Sequence, residues 1–215
     1  MAPKSKQSRP SAGRPTKAQQ AARQAQLLRT ALDQFLEHGF DQATFEGIAA
    51  EVGMAKRTIY SRYADKAQLF RAAVERAVDD YTITAEDLSN AEAETLRATL
   101  RNVARLRLAN LSRPDTIKLQ RVLTAQSYHF PDLFREAFGR SMAPTIAFLE
   151  HQFSSHADAG IITLTDPRQT ATAFLSLVVG GPARIIVAGV PLGAQEIERH
   201  LEFSIDLLLN GILAR

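Results

Sequence analysis

Apolar positions recur along this chain at helical spacing almost from end to end. Leu28, Leu32, Phe35 and Leu36 form one stripe at steps of three and four, which predicts a helix over about residues 16–38. Gly39 stops that helix, and Phe40 after it plugs a small core. Phe45, Ile48, Ala49 and Val52 fall at i, i+3, i+4 and i+7, one face of a two-turn helix with Thr44 as its N-cap. Gly53 then supplies a residue able to leave the helix with positive φ. The next segment, about 55–61, predicts a third short helix that buries Ala55 and Ile59 and points Lys56, Arg57, Thr58, Tyr60 and Arg62 elsewhere. Asp65 with Gln68 three positions on reads as a capping box. It opens a fourth helix whose wide apolar face holds Leu69, Phe70, Ala73, Val74, Ala77, Val78 and Tyr81.

The helical period continues past residue 82, with helices expected at about 93–112, 115–128, 132–156, 167–189 and 194–213. Pro114 separates the first pair and Pro131 opens the third, while Pro144 inside that third pattern should kink or divide it. Asp166-Pro167, with Gln169 at the third helical position, marks a clear start. Residues 161–164 offer the only short extended candidate, and no β alternation is sustained. The fold class is therefore all-α: an N-terminal three-helix helix-turn-helix unit over residues 16–64, a fourth connecting helix over 65–82, and a larger helical domain over 83–215. Residues 1–15, rich in Ser, Pro, Lys, Arg and Gly, read as a flexible arm.

Composition narrows the function. The 215 residues are 45% hydrophobic, enough for a sizeable core, and contain no cysteine, which excludes a disulfide framework, a thiol nucleophile and a Cys-ligated metal. The N-terminus is basic and polar with no apolar run, so no signal peptide is expected and the chain reads as cytoplasmic. The most apolar stretch, 171–192, holds a charge-free run of only 15 residues between Arg168 and Arg184, and Gly180-Gly181-Pro182 interrupts it as a kink. A bilayer span needs about 20 mostly apolar residues, so this stretch reads as a buried helix and no membrane partner is expected. The net charge of +3 hides an asymmetry: residues 1–32 carry seven basic side chains and no acid, which leaves −4 for the remainder. Positive charge gathered beside a helix-turn-helix pattern points to a polyanion. The five histidines are scattered, and His151 and His156 stand five apart, not the four that pairs metal ligands on one helical face. No serine elbow, phosphate loop or dinucleotide fingerprint appears. The expectation is a non-enzyme with no catalytic residues, metal or cofactor.

A bracing helix, a tight turn and a second helix with a polar N-terminal face suit the major groove of DNA. Thr44 sits at a helix N-terminus, which accepts phosphate, and its hydroxyl can donate a second bond. Lys56, Arg57 and Thr58 occupy the first turn of the reading helix, where Arg57 or Lys56 would read the acceptors of guanine. Arg62 faces outward as a phosphate candidate, and Arg14 on the arm would enter an adjacent minor groove.

Gly13-Arg14-Pro15, Phe35 to Phe40 around Gly39, Thr44 with Ile48-Ala49-Ala50 and Val52-Gly53-Met54, and Thr58-Ile59-Tyr60 with Tyr63, Lys66 and Leu69 together resemble the TetR family of bacterial transcriptional regulators. Tyr63 stands where the family usually has Phe, a mild departure that leaves it mainly a core residue with its hydroxyl near the backbone. The resemblance implies that Tyr60 touches the DNA backbone or a thymine methyl and that Lys66 holds a phosphate. More weakly, residues 119–211 are similar to the AefR-like C-terminal domain, through Phe130-Pro131-Asp132-Leu133 and Asp166-Pro167 with Phe174-Leu175-Ser176-Leu177 and Gly180-Gly181.

From this follow the expectations for the larger domain. One head reads too few base pairs for genomic specificity, so a homodimer on palindromic double-stranded DNA is expected. Its surface is assigned to the last two helices through Leu175, Val178, Val179, Ile185, Ile186, Leu201, Ile205, Leu208 and Ile212, too many apolar groups for one small interior. An unidentified, largely apolar effector is expected in a pocket walled by Leu106, Leu123, Phe130, Phe134, Phe138, Met142, Phe148, Phe174 and Leu177, with Gln126, Tyr128, His129 and Arg184 as polar contacts. The reading is a repressor released by its effector. The alternatives are an activator, or a non-DNA interaction module, whose mark would be acidic or apolar residues at positions 56, 57 and 66 in place of Lys56, Arg57 and Lys66.

Overall fold

The structure, a computed structural model, describes residues 16–212, without the side chain of Ile212. The arm of residues 1–15, including Arg14, lies outside the described residues. Thr16 opens α1 (Lys17–Gln42) with a complete capping box to Gln19. The chain leaves helical geometry at Gly39, where φ is 80°, and closes one further turn through the Ala43 N–H to the Gly39 carbonyl. Thr44 caps α2 (Phe45–Val52), its Oγ1 accepting from the Gly47 N–H at 3.1 Å. Gly53 terminates α2 in the left-handed region at φ 65°, a conformation glycine adopts without steric cost. The reading helix α3 (Lys56–Tyr60) is only five residues long. Ala55 is its N-cap and is exposed, contrary to the sequence expectation that it is buried: at a cap position it precedes the inward-facing turn, which only Ile59 fills. Asp65 caps α4 (Lys66–Tyr81) by accepting from the Gln68 N–H, while the Gln68 side chain reaches back one residue further, to the Ala64 N–H.

The remaining helices are α5 (Ala85–Asn90), α6 (Leu96–Leu111), α7 (Pro114–Gln126), α8 (Pro131–Asp158), α9 (Pro167–Ala188) and α10 (Ala194–Ile212). The periodicity misses α5, which is too short for an apolar stripe; its signal is the capping box Thr84 to Asp87. Helix α8 runs undivided through Pro144, and α9 runs through Gly180, Gly181 and Pro182. A proline inside a helix forfeits one backbone bond, and the buried packing around Pro182 outweighs that loss. By length and composition α9 passes the test for a membrane span, but here it packs among α6, α7, α8 and α10. No strand is present among the described residues, as the all-α expectation requires.

Two hydrophobic cores result. The first joins α1 to α4 with Leu119, Val122 and Leu123 of α7 and Leu133 and Ala137 of α8. The second joins α6, α9 and α10 with Leu149 and Phe153 of α8. The helix-turn-helix unit is thus continuous in packing with the start of the larger domain. Its centre is aromatic: Phe70 meets Phe35 at 5.1 Å, Phe40 at 5.3 Å and Phe130 at 5.2 Å between ring centroids.

On the outer side, α6 and α10 are registered by an antiparallel ladder of charges at four-residue spacing. Arg97 meets Asp206 at 2.6 Å, Arg101 meets Glu202 at 3.0 Å, and Arg105 holds Glu198 with two bonds of 2.8 and 2.7 Å. The guanidinium hydrogen bonds hold Glu198 and Glu202 below the ordinary carboxylate value of 4.5. Depressed carboxylates contribute stability above their unfolded pKa and lose it as pH falls through the folded value. A Glu198→Gln, Glu202→Gln double variant should therefore be less stable than the parent at pH 7, by at most about 1 kcal/mol for such exposed pairs. Thermal melts from pH 7 to pH 3 should show the two proteins converging below about pH 4.5.

Candidate functional site

The head brings the predicted DNA-facing residues to one end of the molecule but leaves them in different states. Arg57 is exposed, and its guanidinium has no side-chain partner among the described residues. Thr58 is exposed beside it. Lys56 pairs with Glu46 of α2 and lies 5.4 Å from the Tyr60 ring. Their hydrogen bond raises the Lys56 ammonium pKa and lowers that of the Glu46 carboxylate. Tyr60 is 47% exposed and stands edge-on to Phe45 at 4.5 Å, which braces its ring.

Three positions are tied more closely than the sequence suggests. The Arg62 guanidinium donates to the Gln24 side-chain carbonyl on α1, and the Gln24 amide in turn donates to the Tyr63 hydroxyl. Arg62 is therefore part of a clasp between α1 and the end of α3, not a free phosphate hook. Tyr63 is half-buried, and burial raises its phenol pKa. Lys66 donates to the Asp41 carbonyl at 2.9 Å and sits 4.7 Å over the Phe40 ring. It pins the start of α4 to the end of α1.

A cavity of about 320 Å³ lies at the seam between the two cores. The C-terminal end of α4 supplies Val78, Tyr81 and Thr82; α6 supplies Arg107, Asn110 and Leu111; α7, α8 and α9 close the rest. Of the predicted walls, Leu123, Phe134, Phe138 and Met142 line it, as does Arg184 of the predicted polar contacts. The others are elsewhere. Phe130 is drawn into the aromatic centre of the head, 5.2 Å from Phe40, with Arg71 stacked on it. Phe174 is fully buried in the second core, Leu106 and Phe148 pack against that core, and Leu177 is exposed. Gln126, Tyr128 and His129, at the end of α7 and in the turn after it, also miss the cavity. The sequence reading overlooked Arg107, Asn110, Thr116 and Gln120. Arg107 had left a trace: it falls in the buried stripe Leu96, Leu100, Val103, Arg107, Leu111, a charge in a core register.

The dimer surface requires a similar correction. Leu175, Val178, Val179, Ile186, Leu201 and Ile205 are buried within the protomer, and Leu175 and Val179 line the cavity. Leu208 is partly buried, and the side chain of Ile212 lies outside the described residues. The count of apolar residues misled because α6 and α8 cover α9 from inside, and α6 and α9 cover α10. What α9 and α10 leave uncovered is Leu177, Ile185, Phe203 and Leu207. His200 donates to the Leu177 carbonyl at 2.9 Å and ties α10 to α9 at that point.

A helix-turn-helix head, a cavity beneath it and exposed apolar residues on α9 and α10 are the parts expected of a helical DNA-binding regulator. Residues 27–73 match the family described as bacterial regulatory proteins, tetR family, and residues 98–211 match the AefR-like transcriptional repressor, C-terminal domain. The chain belongs to the TetR family of transcriptional regulators. It is 24% identical over 192 residues to the HTH-type transcriptional repressor Rv1474c of Mycobacterium tuberculosis, covering 89% of this chain and 94% of that one. Over 87 residues, 40% of this chain and 36% of the relative, it is 32% identical to the HTH-type transcriptional activator FasR of Mycolicibacterium smegmatis. Among solved structures, a TetR-family regulator from Mesorhizobium loti superposes with a TM-score of 0.75 at 24% identity, covering 93% of this chain and all of that one. The Flavonoid-responsive Regulator FrrA superposes with a TM-score of 0.72 at 27% identity over 91% of this chain and 99% of its own. Regulators of this family bind DNA, act as dimers with small-molecule effectors and are typically cytoplasmic; the class is not an enzymatic one.

The difference between Arg57 and Lys66 is measurable without DNA. Arg57→Ala removes a solvated side chain and should leave stability within about 0.5 kcal/mol of the parent. Lys66→Ala removes a charged hydrogen bond and a cation–π contact and should cost about 1 kcal/mol. Urea denaturation of the two variants beside the parent checks this; equal effects would remove the structural role assigned to Lys66.

Proposed function

We propose that this protein is a cytoplasmic homodimeric repressor whose grip on a palindromic operator is released by a small molecule bound in the α4–α9 cavity. The observation that carries the reading is the connection made by α4: its first residue, Lys66, is fastened to the head, and Val78 and Tyr81 in its last turn form a wall of the cavity. A rigid 16-residue helix of about 24 Å transmits displacement at one end to the other. In this reading residues 16–64 contact DNA, 65–82 connect, and the remainder bind effector and partner.

Arg57 reads a base edge in the major groove. Lys56 is released from Glu46 as phosphates approach, and Thr44 offers its hydroxyl proton and the N-terminus of α2 to a phosphate. Lys66 and Arg62 act mainly by holding the head's shape. Two copies meet through Leu177, Ile185, Phe203 and Leu207, so that each protomer's head falls on a successive major groove. Effector binding then favours a splayed dimer. To turn occupancy over nearly completely, the effector must prefer that state by about 5.5 kcal/mol, roughly 10⁴ in affinity. The name of the relative FrrA records a response to flavonoids, which supports a small-molecule effector here. The likeness to the activator FasR favours a second reading, in which the same bound dimer recruits transcription instead of blocking it.

Fluorescence anisotropy with the protein's own upstream DNA tests the reading. The parent's affinity should fall with salt at a logarithmic slope of roughly −0.9 per phosphate neutralised. Arg57→Ala should weaken specific binding by about 1–3 kcal/mol. A variant that binds as tightly as the parent, with an unchanged sequence preference, sinks the reading. A transcriptional reporter lacking the regulator separates the two modes: expression rises for a repressor and falls for an activator.

A further inference from the structure

The cavity holds an unanswered charge. Arg107 is 8% exposed, on the inward stripe of α6. One terminal nitrogen donates to the Ser141 carbonyl at 3.1 Å and the other reaches the Met142 sulfur, a weak acceptor. Its Nε is buried without a hydrogen-bond partner. No carboxylate among the described residues forms an ion pair with it. Burial alone pushes its pKa down, to about 10, and no neighbouring acid offsets that. The Thr116 hydroxyl, on the same lining, is also buried and unpartnered. A second arginine, Arg184, lies at the cavity, and the lining contains neither Asp nor Glu.

A buried guanidinium normally has a carboxylate or phosphate beside it, because an uncompensated charge in a low-dielectric interior is strongly disfavoured. Here no such group stands beside it among the described residues, and Arg107 lines a cavity whose apolar wall is Val78, Leu119, Leu123, Phe134, Leu175 and Val179 and whose polar groups, Asn110, Gln120 and Thr116 among them, carry no negative charge. We propose that the effector is an amphipathic anion, a single carboxylate or similarly charged oxygen group on an apolar body, and that Arg107 is its counter-ion. The proposal rests on the cavity being the effector site and adds the chemical class. An amine is repelled by the two arginines, and a neutral hydrocarbon leaves Arg107 as unsatisfied as before. An anion with an apolar body satisfies the Nε–H, fits a volume of about 320 Å³ and draws Thr116 in as a second donor.

Two dyes of nearly the same aromatic shape test this. 1-Anilinonaphthalene-8-sulfonate carries a permanent anion, and N-phenyl-1-naphthylamine is its uncharged counterpart; both brighten in apolar surroundings. Titrated into the intact protein at pH 7, both should bind once per protomer, the anion more tightly. Arg107→Met, and Arg107→Gln as a polar control of the same uncharged state, should weaken the sulfonate by roughly ten- to a hundredfold while leaving the neutral dye unchanged. Retention of the thermal transition and the neutral dye shows that the fold and cavity survive the substitution. Equal affinity of the parent for the two dyes, or equal losses for both in the variants, overturns the assignment of an anion while leaving the cavity as a binding site. Failure of the parent to bind either dye overturns the cavity itself, and with it the basis of the proposal.

Discussion

A reading helix of five residues cannot hold itself together, since fixing the first turn of an α-helix costs more than its few hydrogen bonds return. Everything this regulator does at DNA depends on burying Ile59, the only fully inward residue of α3, against a core that is already rigid. That core takes in Phe45, Ile48 and Ala49 of α2, and at its centre lies the aromatic group of Phe35, Phe40, Phe70 and Phe130, closed at its edges by Lys66 over Phe40 and Arg71 over Phe130. Edge-to-face rings at close to 5 Å combine large buried area with a preferred geometry, so the group resists small rotations.

Phe130 makes this a statement about regulation as well as stability. It belongs to the turn between α7 and α8, yet it completes the core of the head. The head therefore cannot rotate without moving α7 and α8, the helices that also wall the cavity. Residues of both cores line that cavity: Leu119, Leu123 and Ala137 from the first, Leu111, Leu175 and Val179 from the second. The cavity thus lies where two closely packed bodies meet. Packed cores tend to switch between discrete arrangements and not to deform smoothly, which suits an on–off response.

The charges are arranged with the same economy. Opposite charges line the outer faces of α6 and α10 in register, so their pairing orients the helices while the groups stay partly solvated. On the inner face of α6 a single arginine is buried with only a carbonyl and a thioether to hold it. One helix thus carries arginines with opposite surroundings: Arg97, Arg101 and Arg105 pair with carboxylates of α10, and Arg107 is buried at the cavity without one.

Much of this was legible in the chain itself. Caps at Thr44, Asp65 and Asp166, the turn at Gly53 and the period of apolar residues all act within a few positions of one another, so they define the helices and the helix-turn-helix unit locally. Destinations over longer distances were not legible. Phe130 sits in an apolar context that suits a pocket wall as well as a core, and only its approach to Phe40 and Phe70, far away in sequence, decides between them. Periodicity shows which face of α9 and α10 is apolar, but it cannot say whether α6 and α8 or a second copy covers Leu175, Val178, Leu201 and Ile205. The same limit applies to Arg62 and Lys66: nothing in the local sequence shows that Gln24 and the Asp41 carbonyl, far away in the chain, accept hydrogen bonds from them. A sequence determines which groups must leave water; which of many chemically similar surfaces receives each one depends on packing across the whole molecule, and that only the tertiary structure decided.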